Sequence, residues 1–304
     1  MAGSSRLPYA TVILGALVIA FSGILFRFAD VSASTAAFFR CFYALPFLAL
    51  LAWREKRRFG PRPSRQRTLA LAAGVLFAAD LVFWHKSIEA VGAGLATVLG
   101  NTQVLFVALL AWLILRERPG ARVLIAIPVM MAGVVLISGV VGRGAYGENP
   151  MLGVVLGVLT AIAYSGFILI LRQGNRDWRR PAGPLLDATF TAAIFSALVG
   201  AVLGEIDLVP KWPSHGWLML LAVESQVVGW ILISISLPRL PAAVTSILLM
   251  IQPVGSMVLS RILLDETPSL MQIAGVIIIL GGVLFATSRR RTGAARPEEA
   301  KTVP

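Results

Sequence analysis

The sequence has few charged residues, and this shortage excludes an ordinary water-soluble domain. Only 14% of the 304 residues are charged, whereas 57% are apolar and the mean hydropathy is +0.82. A soluble domain carries about 25% charged residues. The chain therefore needs lipid rather than water as the solvent for most of its length.

Other residues are too scarce for several kinds of catalytic or energy-coupling site. The chain has one cysteine, Cys41, and two histidines, His85 and His215. It can therefore form no internal disulfide, and it contains no paired-Cys or His-Glu-x-x-His ligand set for zinc. No lysine follows a glycine, so a Walker A loop is absent, and no Gly-x-Ser-x-Gly motif occurs. We expect neither an enzyme nor an ATP-driven pump, and no bound metal or cofactor.

The apolar residues are concentrated in ten blocks of about 20 residues, the length that an α-helix needs to cross a hydrocarbon core of about 30 Å. The blocks are 9–28, 35–53, 68–88, 94–115, 123–141, 151–171, 184–204, 217–237, 243–264 and 271–288. Because a backbone in lipid must satisfy its own hydrogen bonds, continuous apolar blocks of this length indicate helices rather than barrel strands. The predicted fold is an all-α integral membrane protein with ten transmembrane helices.

The positive charge is distributed asymmetrically along the chain. If the N-terminus is cytoplasmic, 21 of the 27 basic residues fall in cytoplasmic segments. The other six are Arg27, Arg40, Lys86, Arg143, Lys211 and Arg261. This asymmetry follows the positive-inside rule, so we expect both termini in the cytoplasm and no nucleic-acid partner. Arginine greatly outnumbers lysine, which favours a bacterium with a GC-rich genome and hence the bacterial inner membrane.

The two halves of the chain resemble each other at an offset of 149 residues. Residues 87–134 align with 236–283 without a gap, and the motif Leu-x-Glu-x-Pro occurs at 115–119 and again at 264–268. Five helices per half is an odd number, so the second half must be inverted in the membrane. The predicted organisation is a first repeat over 1–141, a second, inverted repeat over 142–288 and a disordered basic tail over 289–304. Inverted repeats are typical of secondary transporters; the alternative is an old duplication without mechanistic meaning.

Ionisable residues inside the apolar blocks indicate a site. Asp80, Glu224 and Arg40 are expected at similar depth in the outer half of the membrane, with Arg27 near the end of the first helix. A charge at the bilayer centre costs at least about 2.5–3.5 kcal/mol, so such residues face a cavity or a partner. In one interpretation Arg27 and Arg40 form a structural network that neutralises the carboxylates. In the other, the carboxylates bind a cationic group of the substrate or take up a proton.

Further polar and aromatic side chains are candidates to line the same site. Together with Asp80 and Glu224, the substrate-binding candidates are Trp84, Asn101, Gln103, Tyr164, Gln226, Trp230 and Gln252. Trp84 lies one helical turn after Asp80. Gln103 and Gln252 are equivalent in the repeat, and Pro253 is expected to kink the helix beside the second of them; the alternative role of both amides is to hydrogen-bond neighbouring helices. An outer-rim cluster is expected from His85, Lys86 and Glu89.

Several motifs resemble one known family. They are AFSGILFR at 20–27 with its counterpart AYSGFILILR at 163–172, Arg40 early in the second helix, LLMIQPV at 248–254, and the Leu-x-Glu-x-Pro motif that ends helices 4 and 9. The sequence resembles the EamA branch of the drug/metabolite transporter superfamily, although it has Val104 and Phe21 where that family usually has proline and tryptophan. The resemblance implies a ten-helix, gradient-driven carrier, often an exporter of amino acids or other metabolites, with helices 1, 3, 4, 6, 8 and 9 around the cavity.

These observations predict a secondary transporter that moves a small polar metabolite, an amino acid or an amine, across the membrane by alternating access. Export is the expected direction. The expected partners are the solute and the lipid bilayer, and the expected state is a monomer or a weak dimer. The alternatives are a polytopic membrane channel, whose pore would also be lined by scattered polar residues, and a membrane scaffold that transports nothing.

Overall fold

The computed structural model of the chain describes residues 6–137, 149–263 and 269–287, and these residues form helices and short connections without a β-strand. The helices are α1 (Leu7–Ile19), α2 (Ser22–Ala29), α3 (Ala33–Phe59), α4 (Ser64–Asn101), α5 (Gln103–Leu115), α6 (Ala121–Ile137), α7 (Pro150–Gly174), α8 (Ala182–Leu203), α9 (Ser214–Leu221), a π-helical segment (Ala222–Gly229), α10 (Trp230–Ser236), α11 (Ala242–Leu249), α12 (Gln252–Leu263) and α13 (Leu270–Thr287). The predicted repeat boundary at 141, the second Leu-x-Glu-x-Pro motif and the tail over 289–304 lie outside the described residues.

The apolar helices coincide with the predicted blocks. Within the described part of the chain, seven segments are long and apolar enough to cross a membrane: Leu7–Ala29, Ala33–Phe59, Ser64–Ser87, Met151–Gly174, Ala182–Leu203, Ser214–Ser236 and Leu270–Thr287. Shorter apolar helices cover the three remaining blocks, at Leu99–Leu115, Ala121–Leu136 and Ala242–Ser256. The chain is therefore a multi-pass, all-helical integral membrane protein.

The boundary predicted between helices 3 and 4 differs from the structure. A break was expected between 88 and 94, but α4 is helical from Ser64 to Asn101. A straight helix would separate Trp84 from Gly100 by about 24 Å, yet a methyl group placed on Gly100 would lie 3.7 Å from Trp84 Cδ1. The chain therefore reverses direction inside α4 while its helical hydrogen bonds continue. Local hydrogen bonding, rather than a loop residue, makes this connection.

Two of the shorter apolar helices are interrupted at equivalent places. α11 ends at Leu249 and α12 begins at Gln252, so the chain breaks just before Pro253, as predicted. Proline lacks the N–H that would continue the hydrogen-bonding pattern. In the first half, Thr102 separates α4 from α5, and 102 lies 149 residues before Ile251. No proline follows this first break, so the interruption is not a property of proline alone.

Close packing between particular helices builds the bundle. The most extensive pairs are α4 with α7, α3 with α8, α6 with α13 and α4 with α8, followed by α1 with α10 and the π-helical segment, and α5 with α7 and with α11. Glycines permit the closest approaches. A methyl group on Gly15 would lie 2.8 Å from the carbonyl oxygen of Gly229, and one on Gly133 would lie 2.9 Å from that of Gly275. Small residues at crossings let helix backbones pack directly in lipid, where van der Waals contact replaces the hydrophobic effect.

One end of the bundle, which we call the Glu117 end, is tied together by ion pairs and capped helix termini. Glu117 accepts hydrogen bonds from Arg172 Nη1 at 2.5 Å and from the backbone N–H of Ala242 at 3.1 Å. The carboxylate of Glu55 accepts the backbone N–H groups of Ala182 and Gly183, each at 2.9 Å. An anionic side chain at a helix N-terminus satisfies free donors and complements the helix dipole. The two glutamates thus tie α5 to α11 and α3 to α8.

The opposite, Glu205 end is held by a different ion pair. Lys86 Nζ donates to Glu205 Oε1 at 2.6 Å, and Ser32 Oγ donates to the carbonyl oxygen of Glu205 at 2.5 Å. The predicted outer-rim cluster is corrected at His85, which is buried with its ring between Phe26 and Trp84. Hydrogen bonding between its Nδ1 and the Leu81 carbonyl satisfies that ring atom locally. Glu89 is exposed, as a rim position requires.

Candidate functional site

Arg40 lies at the centre of the candidate site, buried about two turns after the start of α3. Its Nε donates to Gln226 Oε1 at 3.2 Å and its Nη2 to Ser225 Oγ at 3.0 Å. Gln226 in turn donates from Nε2 to Thr189 Oγ1 at 2.9 Å. A buried guanidinium needs several acceptors because its donors have no water to bind. The contacts join α3, α8 and the π-helical segment into one polar group.

The π-helical segment presents three of the polar side chains in this group. Glu224, Ser225 and Gln226 are consecutive residues of Ala222–Gly229. A π-helix widens the turn to i→i+5 hydrogen bonds, and such turns are rare and frequent at functional sites. The sequence was expected to continue here as an ordinary helix, so the widened turn was not predicted. It has no signature in hydrophobic periodicity.

Two carboxylates flank Arg40. Asp80 is buried, with 8% of its surface exposed, and both carboxylate oxygens of Glu224 are inaccessible to solvent and lack a hydrogen-bond partner among the described residues. Arg40 interacts electrostatically with both carboxylates. A single guanidinium can compensate only one of two carboxylates, so the other has to be paired with a bound cation or a proton. Buried charges in a membrane protein are costly unless they serve a partner or a ligand.

Aromatic rings form one wall beside this charged group. The ring of Trp230 lies 4.8 Å from Phe167, 5.8 Å from Phe77 and 6.1 Å from Tyr164, in edge-to-face arrangements. The guanidinium of Arg40 lies 5.8 Å from the centre of the Phe77 ring. Tyr164 also hydrogen-bonds to the side chain of Gln252, which connects the wall to the start of α12. Aromatic faces attract cations, more strongly where water is excluded.

Gln103 occupies the corresponding start of α5. Its side chain is buried, with Nε2 3.5 Å from the carbonyl oxygen of Ser246, while its Oε1 has no hydrogen-bond partner among the described residues. Its backbone carbonyl accepts from Ser165 Oγ at 3.1 Å, next to Tyr164. Gln103 therefore hydrogen-bonds neighbouring helices through its side-chain Nε2 and its backbone oxygen. Its side-chain Oε1 has no such partner among the described residues and could accept from a ligand.

The structure brings most of the predicted residues together. The group around Arg40 contains Asp80, Tyr164, Glu224, Gln226, Trp230 and Gln252. Trp84 packs against His85 one turn beyond Asp80, and Asn101 is half-buried at the end of α4. Arg27 is exposed near the end of α2, whereas Arg40 lies beside the carboxylates.

Several residues of the group were not predicted. They are Phe77, Phe167, Thr189 and Ser225. The two phenylalanines look like any core residue in an apolar block. Thr189 lies inside the apolar block 184–204, where an uncharged threonine does not stand out.

Sequence comparison identifies the family. The chain matches the EamA-like transporter family over residues 6–139 and again over 151–288. It belongs to this family. Two bacterial relatives agree. The EamA chain is 25% identical over 260 residues to the "Uncharacterized transporter sll1319" of Synechocystis sp., covering 79% of this chain and 75% of that protein. It is 22% identical over 210 residues to the "Uncharacterized transporter YetK" of Bacillus subtilis, covering 68% and 63% respectively.

A solved structure shares the fold. A chain described only as "Crystal structure of protein" superposes with a TM-score of 0.74 at 17% identity, covering 94% of the EamA chain and 97% of its own length. The predicted family resemblance is therefore confirmed, and so is the expectation of a transporter rather than an enzyme. The buried group around Arg40 is the part of this EamA protein whose chemistry is best suited to a solute.

Proposed function

We propose that this EamA protein is a secondary transporter that exports an amino acid or an amine by alternating access between two inverted five-helix halves. The observation that carries the proposal is the buried Asp80–Arg40–Glu224 group, in which both oxygens of Glu224 lack a hydrogen-bond partner within the described chain. An unpaired buried carboxylate is expensive in lipid. A cationic group of the solute would offset that cost in one part of a transport cycle, and a proton would offset it in the other.

The helix pairing supports ten crossings and a two-fold relation between the halves. Three helix pairs join equivalent helices of the two halves: α3 with α8, α5 with α11, and α6 with α13. The pair formed by α1 and α10 corresponds to the pair formed by α7 and α4. A two-fold axis exchanges the members of each such pair. The helix breaks at 102 and 251 obey the same offset, and the family matches the chain once in each half. Discontinuous helices at a repeat interface are a common feature of substrate sites in secondary transporters.

The charges favour a solute with an ammonium group. The carboxylate that Arg40 leaves uncompensated and the aromatic faces of Trp230 and Tyr164 suit a cation. The helices α5 and α12 begin beside this group, at Gln103 and Gln252, and helix N-termini favour a carboxylate. A zwitterionic amino acid complements both features, and an amine complements the first.

The orientation follows from the basic residues. Arginines cluster at the Glu117 end, so we propose that this end faces the cytoplasm of a bacterium and that the protein lies in the inner membrane with both termini inside. Export as the direction follows from the resemblance to EamA exporters.

Counterflow in proteoliposomes tests the function. Labelled amino acids and amines would be screened for saturable exchange, first with the wild type and then with Glu224→Gln. We expect exchange of a cationic or zwitterionic solute that falls at least tenfold in Glu224→Gln, because the neutral amide cannot bind an ammonium group as strongly. Glu89→Gln removes the same charge from an exposed position and should exchange at the wild-type rate.

The alternative functions predict other outcomes. A channel would conduct without saturation or counterflow, and a scaffold would do neither. Exchange that is limited to organic anions, or that is undiminished in Glu224→Gln, would contradict the substrate class proposed for this group.

A further inference from the structure

A cavity separate from the Arg40 group opens at the Glu117 end. It has a volume of about 400 Å³ and lies between the last turns of α3, the segment before α8, and α10. Small-molecule sites in proteins range over about 300–1,000 Å³. The cavity is therefore large enough for a ligand, and its lining indicates which kind.

One wall of the cavity changes from apolar to cationic along a single face of α3. Phe47, Leu51, Arg54 and Arg58 follow each other at helical spacing, so their side chains share that face. Leu51, Arg54 and Arg58 line the cavity. Phe47, one turn deeper in the membrane, is 49% exposed. The apolar part of the face lies at hydrocarbon depth and the arginines lie where the apolar block ends, at headgroup depth.

The facing wall has the same polarity. Ile231 and Ile235 of α10 line the cavity, and Val228, one turn deeper, is 44% exposed. The two walls thus form an apolar track that runs from the bilayer interior to the arginines. Trp178 lies at the mouth, 44% exposed, as tryptophans at a membrane–water interface commonly do.

The cavity carries more positive than negative charge, because Arg54, Arg58 and Arg179 line it together with a single acidic residue, Glu55. The carboxylate of Glu55 is occupied by the two N–H groups at the start of α8. Arg179 is paired with Asp177, and its hydrogen bonds hold the pKa of that carboxyl below its usual value, so the pair stays ionised at neutral pH. Arg54 and Arg58 form no ion pair with any residue that the structure describes, and both are exposed.

We propose that this cavity binds an anionic phospholipid of the cytoplasmic leaflet, with the phosphate between Arg54 and Arg58 and an acyl chain along Phe47 and Leu51. A membrane-facing groove with an apolar track and a cationic head matches the two parts of such a lipid. The choice of leaflet rests on the proposed orientation, but the binding itself does not depend on transport. Failure of the transport proposal and failure of this one are therefore distinguishable.

Native mass spectrometry of the purified protein in detergent, titrated with phosphatidylglycerol, tests the proposal. We expect Arg54→Gln/Arg58→Gln to weaken phosphatidylglycerol binding at least tenfold, since each basic residue near an anionic lipid contributes about 1 kcal/mol. The matched control is Lys56→Gln/Arg65→Gln, which removes the same charge from exposed positions outside the cavity. The control should bind as the wild type does, and the neutral lipid phosphatidylcholine should bind more weakly to the wild type than phosphatidylglycerol does.

Three results would overturn the proposal. Equal losses in both double variants would mean a general attraction to positive charge, and no loss in either would mean that the lipid binds elsewhere. Displacement of phosphatidylglycerol by millimolar inorganic phosphate would assign the site to a soluble anion instead. If the cavity double variant fails to fold, Leu51→Trp decides. The larger side chain fills the track without changing the charge, so binding should weaken, and wild-type binding would contradict the proposal.

Discussion

At the scale of single residues, Arg40 is a buried arginine whose guanidinium donates hydrogen bonds to other buried side chains. Two elements supply its contacts, the π-helical segment through Ser225 and Gln226 and α4 through Phe77, and two carboxylates interact with it electrostatically. The sequence interpretation of a structural charge network is supported by these hydrogen bonds. The interpretation of a binding site is supported by the unpaired oxygens of Glu224. The two interpretations are compatible, because the guanidinium that organises the group forms no hydrogen bond with Glu224.

Replacing Arg40 should therefore affect stability more than replacing Arg27. Arg40→Gln removes the cation that donates to Ser225 and Gln226, and a hydrogen bond that involves a charged group typically contributes about 1.5–3 kcal/mol. Arg27 is exposed, so Arg27→Gln should cost less than about 1 kcal/mol. The apparent melting temperature of each variant in the same detergent measures the difference. Equal melting temperatures for the two variants would contradict the central role of Arg40.

The sequence singled out residues whose chemistry is unusual for their surroundings. Asp80 and Glu224 were identifiable because a carboxylate in an apolar block stands out, and the structure places both beside Arg40. Phe77 and Phe167 were not identifiable, since a phenylalanine in such a block is the expected residue. The burial of His85 was mispredicted because its position near the end of an apolar block suggested the surface.

At the scale of helices, hydropathy located the blocks well and their internal breaks poorly. All ten blocks have a helical counterpart in the described chain. Only the break before Pro253 could be predicted from a nearby residue, because proline interrupts helical hydrogen bonding. The reversal within α4 falls between the predicted blocks 68–88 and 94–115, so hydropathy located it. The break at Thr102 and the π-helical segment have no such signal in hydropathy.

The crossing of α1 with the π-helical segment offers a test at this scale. A methyl group on Gly15 would approach the Gly229 carbonyl oxygen to 2.8 Å, whereas one on Gly23 would meet nothing within 4 Å. Gly15→Ala should lower stability by about 1–3 kcal/mol through overpacking. Gly23→Ala should be neutral or raise stability by up to about 1 kcal/mol, through helix propensity. Thermal unfolding of the two variants separates packing from propensity; a destabilised Gly23→Ala would show that propensity and open space do not decide the outcome.

At the scale of the whole molecule, the two ends of the bundle are closed by different means. Glu117 and Glu55 join helices at one end, and Lys86 with Glu205 joins α4 to the chain after α8 at the other. Alternating access requires that each end open in turn while the opposite end stays closed. The ion pair between Lys86 and Glu205 is therefore expected to break once in every transport cycle.

Cross-linking tests this expectation. In a Cys41→Ser background, Lys86→Cys/Glu205→Cys joined by a reducible thiol cross-linker should stop counterflow, and reduction should restore it. Asp207→Cys/Lys211→Cys is the matched control, because that ion pair lies within one exposed segment and joins no two helices. Its cross-linking should leave the exchange rate unchanged. Undiminished counterflow through the cross-linked Lys86–Glu205 variant would show that this end does not open.

The contacts of Arg40 also bear on whether either half of the chain could form this group by itself. Arg40 and Phe77 lie in the first half, whereas Thr189, Ser225 and Gln226 lie in the second. A fragment that contains one half only would leave the buried guanidinium, or its acceptors, without a partner. We therefore expect the two halves, expressed as separate chains, to be stable only when they are produced together.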